Sequence, residues 1–213
     1  MNFVRRTKSD SVVGTGVVVA DDPASLGAFL KPDCAAAVLR RQTPPDVQNW
    51  LDALDQGFLP RGRIIIPPNA VANTVDSLCE VSGLPEGPER AWLRDDIISL
   101  ADMFADLMSA RFLRLRLDVV TTNACRKFHT DAITARLVCT YRGTGTQFGN
   151  STDGNDPDQV FTVQTGAPIL LRGTLWPEQP LSGLVHRSPP IEGTGETRLV
   201  LVLDPVVDPE EDT

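Results

Sequence analysis

Apolar positions follow two different periods along this chain, and the change falls near residue 112. Before it the spacing is mostly helical. Leu93, Ile97, Leu100, Phe104 and Met108 share one face of a helix predicted over residues 88–111. Thr43-Pro44-Pro45-Asp46 suits a helix start, because proline fits the first turn, and Val47, Trp50, Leu51 and Leu54 follow on one face before Gly57. Val75 to Leu84 reads as a further helix, and Asp22 or Ser25 caps a short helix through Phe29. Cys34 to Leu39 and Arg63 to Ile66, the latter closed by Pro67-Pro68, read as short strands.

After residue 112 the pattern alternates. Leu113, Leu115, Leu117 and Val119 interleave with Arg114, Arg116 and Asp118, the mark of a strand with one buried and one polar face. Further strands are expected at residues 128–131, 135–141, 159–164, 168–172, 183–186 and 197–203, separated by Gly, Pro, Asn and Asp turns. Many short strands so spaced predict a sandwich or a double-sheet jelly roll. Residues 149–158 form a long polar loop, either a solvated connection or a rim over a site. The expected architecture is α+β, a single domain over 1–213: a mainly helical part at 1–112, a β core at 113–204 and an acidic tail at 205–213.

Composition narrows the function classes. The chain has 213 residues, 41% hydrophobic and 23% charged, and so suits one well-buried core. A net charge of −8 lacks the concentrated basic surface that phosphate backbones require, so nucleic acid is not expected as a partner. No apolar run approaches a membrane span, and the basic start at Arg5-Arg6-Lys8 is not followed by a signal-like apolar stretch. Cys34, Cys79, Cys125 and Cys139 form no CxxC pair, which predicts reduced thiols and a cytoplasmic protein. Asp204, Asp208, Glu210, Glu211 and Asp212 near the end read as a solvated terminus.

The candidate chemistry rests on the two histidines. In a strand, residues two apart share a face, so His129 and Asp131 can converge on one ion while Thr130 points away. The remaining histidine, His186, lies in a second β segment and would complete a set of two imidazoles and a carboxylate, which holds one face of an iron(II) ion and leaves other positions open. Arg198 opens the apolar run Leu199-Val200-Leu201-Val202-Leu203, so its guanidinium is expected to be buried with an anionic partner. That partner is either an internal carboxylate or the carboxylate of a small cosubstrate held bidentately. Arg136 and the lone tyrosine, Tyr141, are candidates to bind the same cosubstrate, with a core tyrosine as the plainer alternative. Cys125 and Cys139 offer a Cys/His zinc site as a lesser option, and Trp176-Pro177 reads as a packed turn.

The stations His129-Thr130-Asp131, His186 and Arg198 resemble the pattern of the 2-oxoglutarate and iron(II)-dependent dioxygenases over residues 113 to 204. The resemblance implies a double-stranded β-helix, or jelly roll, in the C-terminal half, with the N-terminal helices packed on it. It also implies iron(II) on His129, Asp131 and His186, 2-oxoglutarate anchored by Arg198, and hydroxylation of an unknown small-molecule or protein substrate. The motifs Cys125-x-x-Phe128-His129-x-Asp131, Arg136-Leu137-x-Cys139-Thr140-Tyr141-Arg142-Gly143, Arg172-Gly173-x-x-Trp176-Pro177 and Val185-His186-Arg187-Ser188-Pro189 further resemble an uncharacterised bacterial family of unknown function. That second likeness points to metal without choosing it. It keeps open a non-catalytic zinc or iron binder linked to metal homeostasis.

Overall fold

The computed structural model describes residues 16–151, 154–177 and 183–210. Two sheets and a helical layer build it. The larger sheet has seven strands in the order β1-β2-β8-β5-β10-β4-β3. These are β1 (Val17–Ala20), β2 (Ala36–Leu39), β3 (Gly62–Ile66), β4 (Phe112–Val120), β5 (Ala135–Arg142), β8 (Pro168–Arg172) and β10 (Arg198–Val206). All neighbours are antiparallel except β1 and β2. The smaller sheet has three strands, β7 (Phe161–Thr162), β6 (Gln147–Asn150) and β9 (Leu184–Arg187), in that order.

Strand parity decides what each face of the large sheet meets. Leu113, Leu115 and Leu117 of β4, Leu137, Cys139 and Tyr141 of β5, and Leu199, Leu201 and Leu203 of β10 all point to one side. There they meet the buried faces of α1 (Pro45–Ala53), α2 (Val71–Ser82) and α3 (Pro88–Met108). α3 buries Leu93, Ile97, Leu100 and Phe104, the stripe expected from spacing, and ends where Ser109 adopts a left-handed conformation with φ 51°. Each fully buried side chain of this size contributes about 1.5–3 kcal/mol, so the helical layer is the principal apolar core.

The opposite face is thinner. Val138, Ile169, Leu171, Val200 and Val202 pack against Phe148, Val163 and Leu184 of the smaller sheet and its connections. Toward one side of this inter-sheet space the apolar residues give way to charged ones, and a cavity opens there.

Several expectations are refined. The strand anticipated at residues 128–131 is a single bridge at His129. Residues 149–150, expected to start the long loop, are the end of β6. The strand at 159–164 shortens to β7, and β1 joins the sheet without having been anticipated. Asp204, grouped with the acidic end, is 1% exposed and belongs to β10, which runs on to Val206. The N-terminal part supplies β1, β2 and β3 to the large sheet as well as the helices. Among the described residues no helix is long and apolar enough to cross a membrane.

Candidate metal centre

Residues 121–134 connect β4 to β5 without regular structure, except where His129 meets His186 of β9. The two exchange backbone hydrogen bonds, His129 N–H to the His186 carbonyl at 3.0 Å and the reverse at 2.9 Å. Directly opposed residues in an antiparallel pair project to the same side, so the imidazoles stand together with ring centroids 4.6 Å apart. The Thr130 hydroxyl turns away and donates to the Leu184 carbonyl at 3.1 Å. Asp131 then returns to the histidine side. Its carboxylate lies 3.1 Å from His186 Nε2 and 3.5 Å from His129 Nε2. One ligand atom from each of the three residues falls within 4.8 Å of the others.

The donor set is ready for a cation. His129 Nδ1 lies 2.9 Å from the Lys127 carbonyl, which can only accept, so a neutral ring keeps its proton on Nδ1 and leaves the Nε2 lone pair toward Asp131. Burial raises the Asp131 pKa, but His186, Arg136 and His129 outweigh it and hold the carboxyl well below the usual range. Its Oδ2 is buried, 2.7 Å from Arg136 Nη1, yet no donor meets it at hydrogen-bond geometry. A buried carboxylate oxygen with unused acceptor capacity beside two imidazoles fits a divalent cation, and two imidazoles with one carboxylate suit iron(II).

Arg136 is a brace. Its guanidinium grips Asp204 bidentately at 2.6 and 2.8 Å and reaches Asp131 with the remaining nitrogen. It therefore positions the carboxylate, and it also lines the cavity.

The cavity, about 190 Å³, is walled by His129, His186, Arg116, Asp118, Val138 and Arg198 among others. Arg198 is 1% exposed. It donates from Nε to the Thr144 carbonyl at 2.6 Å and from Nη2 to Thr140 Oγ1 at 3.3 Å. Among the described residues no carboxylate comes within ion-pair distance of it, so none of them accounts for its burial by a salt bridge. Burial draws its pKa down to about 10, and Glu196 opposes this only in part. Glu196 instead accepts from the Thr144 N–H at 2.6 Å and the Thr144 hydroxyl at 3.0 Å. The register between β5 and β10 slips at Leu199/Val200, beside Arg198.

Tyr141 is the candidate the structure does not bring to the cavity. It lies five positions from Arg136 on β5, an odd step, and therefore faces the helical layer. Its hydroxyl donates to Asp96 of α3 at 2.7 Å, and Arg41 binds the same carboxylate through two nitrogens. Cys139 shares that face, whereas Cys125 lines the cavity, so the two do not form a zinc site with the histidines. Trp176 packs as a turn residue, with Arg172 over its ring at 4.2 Å and Phe29 edge-on at 5.3 Å.

Arg116 and Asp118 were legible only as a polar strand face. That face turns into the inter-sheet cavity, and the signal for it was the pairing of two like charges, Arg114 and Arg116, on one strand.

A family model described as a protein of unknown function (DUF1826) matches residues 20–204, and the chain belongs to that family. No curated protein matches the chain. Among solved structures it is similar to the Arabidopsis thaliana dioxygenase for auxin oxidation 1 in a binary complex with 2-oxoglutarate. That match has 10% identity and a TM-score of 0.54, over 91% of this chain and 93% of that one. A rice dioxygenase for auxin oxidation follows at 12% identity and TM-score 0.48, over 88% of this chain and 78% of that one. A Pseudomonas putida prolyl-4-hydroxylase shows 14% identity and TM-score 0.45, over 89% and 97%. At such identities the likeness is one of fold.

Proposed function

We propose that this protein is an iron(II)- and 2-oxoglutarate-dependent oxygenase acting on a substrate still to be identified. One observation carries the reading: His129, Asp131 and His186 converge at a cavity that Arg198 also lines, buried and, among the described residues, without a carboxylate at ion-pair distance. In this reading strands β4, β5, β10 and β8 and the facing strands β9, β6 and β7, with the His129 bridge, form a double-stranded β-helix. The N-terminal helices and strands support it from outside.

His129, Asp131 and His186 would hold the iron through two imidazole nitrogens and a carboxylate oxygen. With dioxygen as oxidant, iron and 2-oxoglutarate would supply hydroxylation of an unactivated C–H bond coupled to decarboxylation of the cosubstrate to succinate and carbon dioxide, one oxygen atom going to the hydroxylated product and the other to succinate. This chain's residues supply the geometry. The Lys127 carbonyl fixes the His129 tautomer, and Arg136, bridging Asp131 and Asp204, keeps the Asp131 carboxylate aimed. Arg198 offers a guanidinium fork to the far carboxylate of 2-oxoglutarate, while Val138, Val200 and Val202 keep water from the inter-sheet wall.

The test is anaerobic titration of the purified protein with iron(II) and then 2-oxoglutarate, followed by visible absorption. The expected charge-transfer band is lost in His186→Ala together with iron binding; in Arg198→Gln iron binding survives and 2-oxoglutarate affinity falls. A wild-type protein that binds iron but never 2-oxoglutarate overturns the proposal. Tight zinc without 2-oxoglutarate would then favour the non-catalytic metal binder.

A further inference from the structure

Arg116 is a second arginine of the cavity that, among the described residues, has no carboxylate at ion-pair distance. It lies on β4, opposite Val202 of β10 on one side and opposite Arg63 of β3 on the other. Its Nε is buried with no hydrogen-bond partner. Among the described residues no carboxylate reaches it at ion-pair distance, although Asp118 and Asp204 act on it through space. Asp204 is committed to Arg136. Arg63, its cross-strand neighbour, is exposed and of the same sign. Like charges directly opposed across an antiparallel pair destabilise a sheet, and so does a buried guanidinium nitrogen left unpaired. The same strip therefore carries two costs that a bound anion would remove.

The position separates this strip from Arg198. Arg198 stands opposite Val120, four residues along β4 from Arg116, which at strand rise is about 13 Å. The row of Arg63 and Arg116 runs from the solvent-facing edge of the sheet into the cavity that holds the histidines. Asp118, two residues along the same face, also lines the cavity and repels a second negative charge.

We propose that Arg116, approached along Arg63, binds a carboxylate carried by the substrate, and that Asp118 makes the site prefer a monoanionic carboxylate to a phosphate dianion. Calling the ligand the substrate rests on the oxygenase reading. The anion site itself does not.

The experiment follows the arginine Nε–Hε signals by NMR in the full chain loaded with zinc, which is diamagnetic and redox-silent. The Arg116 signal is assigned by its loss in Arg116→Gln and the Arg198 signal by its loss in Arg198→Gln. Acetate and inorganic phosphate are the probes. Acetate is expected to shift the Arg116 signal saturably in wild type, in Arg198→Gln, and in wild type already saturated with 2-oxoglutarate. Phosphate is expected to bind there more weakly, the difference closing in Asp118→Asn. Arg116→Gln should also melt higher than wild type, by roughly 2–4 °C, because it removes an unpaired cation; a merely structural arginine would melt lower on removal.

No shift at Arg116 with acetate overturns the site. Blockage of acetate by saturating 2-oxoglutarate also overturns it, since Arg116 would then belong to the cosubstrate. Tighter phosphate than acetate overturns the carboxylate assignment. A response to acetate at Arg116 with none to 2-oxoglutarate at Arg198 sinks the oxygenase reading and leaves the anion site standing.

Discussion

The side chains of β5 divide the site from its support, and parity alone sorts them. Arg136, Val138 and Thr140 face the inter-sheet side; Leu137, Cys139 and Tyr141 face the helices. A regular strand cannot send Arg136 and Tyr141 to one ligand, so that part of the structure was already legible in the alternation of the sequence. Tyr141→Phe is therefore expected to lose the hydrogen bond to Asp96, worth about 1.5–3 kcal/mol for a charged acceptor, with 2-oxoglutarate affinity unchanged. Denaturant unfolding and a cosubstrate titration on the same variant check both halves. Arg136→Ala should act in the opposite manner. It strands the buried Asp204, leaving it only Arg114 at 3.8 Å, at a cost of about 3–5 kcal/mol, and it frees Asp131 to move, weakening metal as well. Calorimetric metal titration beside thermal melting separates these effects from those at Tyr141.

Elements with strong periodicity were readable nearly to their ends, and those defined by contact were read too long or missed. α3, β4, β8 and β10 follow from stripes of leucine or β-branched residues that need no partner to be recognised. The strands expected at 128–131 and 159–164 shrink to the His129 bridge and to β7, and β1 and β6, four residues each, carry no local period that marks them. The convergence of His129, Asp131 and His186 was legible because His-x-Asp and a single distant histidine leave few combinations. The shape that holds Asp131 was not. Gly173, just after β8, lies so close to the 131–133 turn that a Cβ there would press into the Ile133 carbonyl and stand 2.7 Å from that of Asp131. Gly173→Ala is expected to displace the turn and lower metal affinity by about 10–100-fold, although no ligand is changed. A metal titration on Gly173→Ala that matches wild type would show the turn is not positioned by this contact.

Across the whole molecule, the candidate metal ligands come from two places joined by a few hydrogen bonds. His186 is on β9, inside the smaller sheet, whereas His129 and Asp131 sit on the irregular 121–134 segment. That segment is joined to β9 by the reciprocal His129–His186 bonds, the Ser188 N–H to Cys125 carbonyl bond at 2.9 Å and the Thr130 hydroxyl. A bound cation adds a cross-link between them that the unfolded chain cannot reproduce, so metal affinity and fold stability are linked. At a free metal concentration of about 100 times Kd the gain is about 2.7 kcal/mol, or roughly 5–11 °C in Tm for a domain of this size. The protection should be local as well as global. Hydrogen exchange in residues 121–134 is expected to slow on metal addition, while amides in β10, already paired on both sides by β4 and β5, change little. His186→Ala should abolish both the Tm gain and the slowing without altering exchange in β10. If metal instead raises Tm equally in His186→Ala, the ion is held elsewhere and the triad does not bind it.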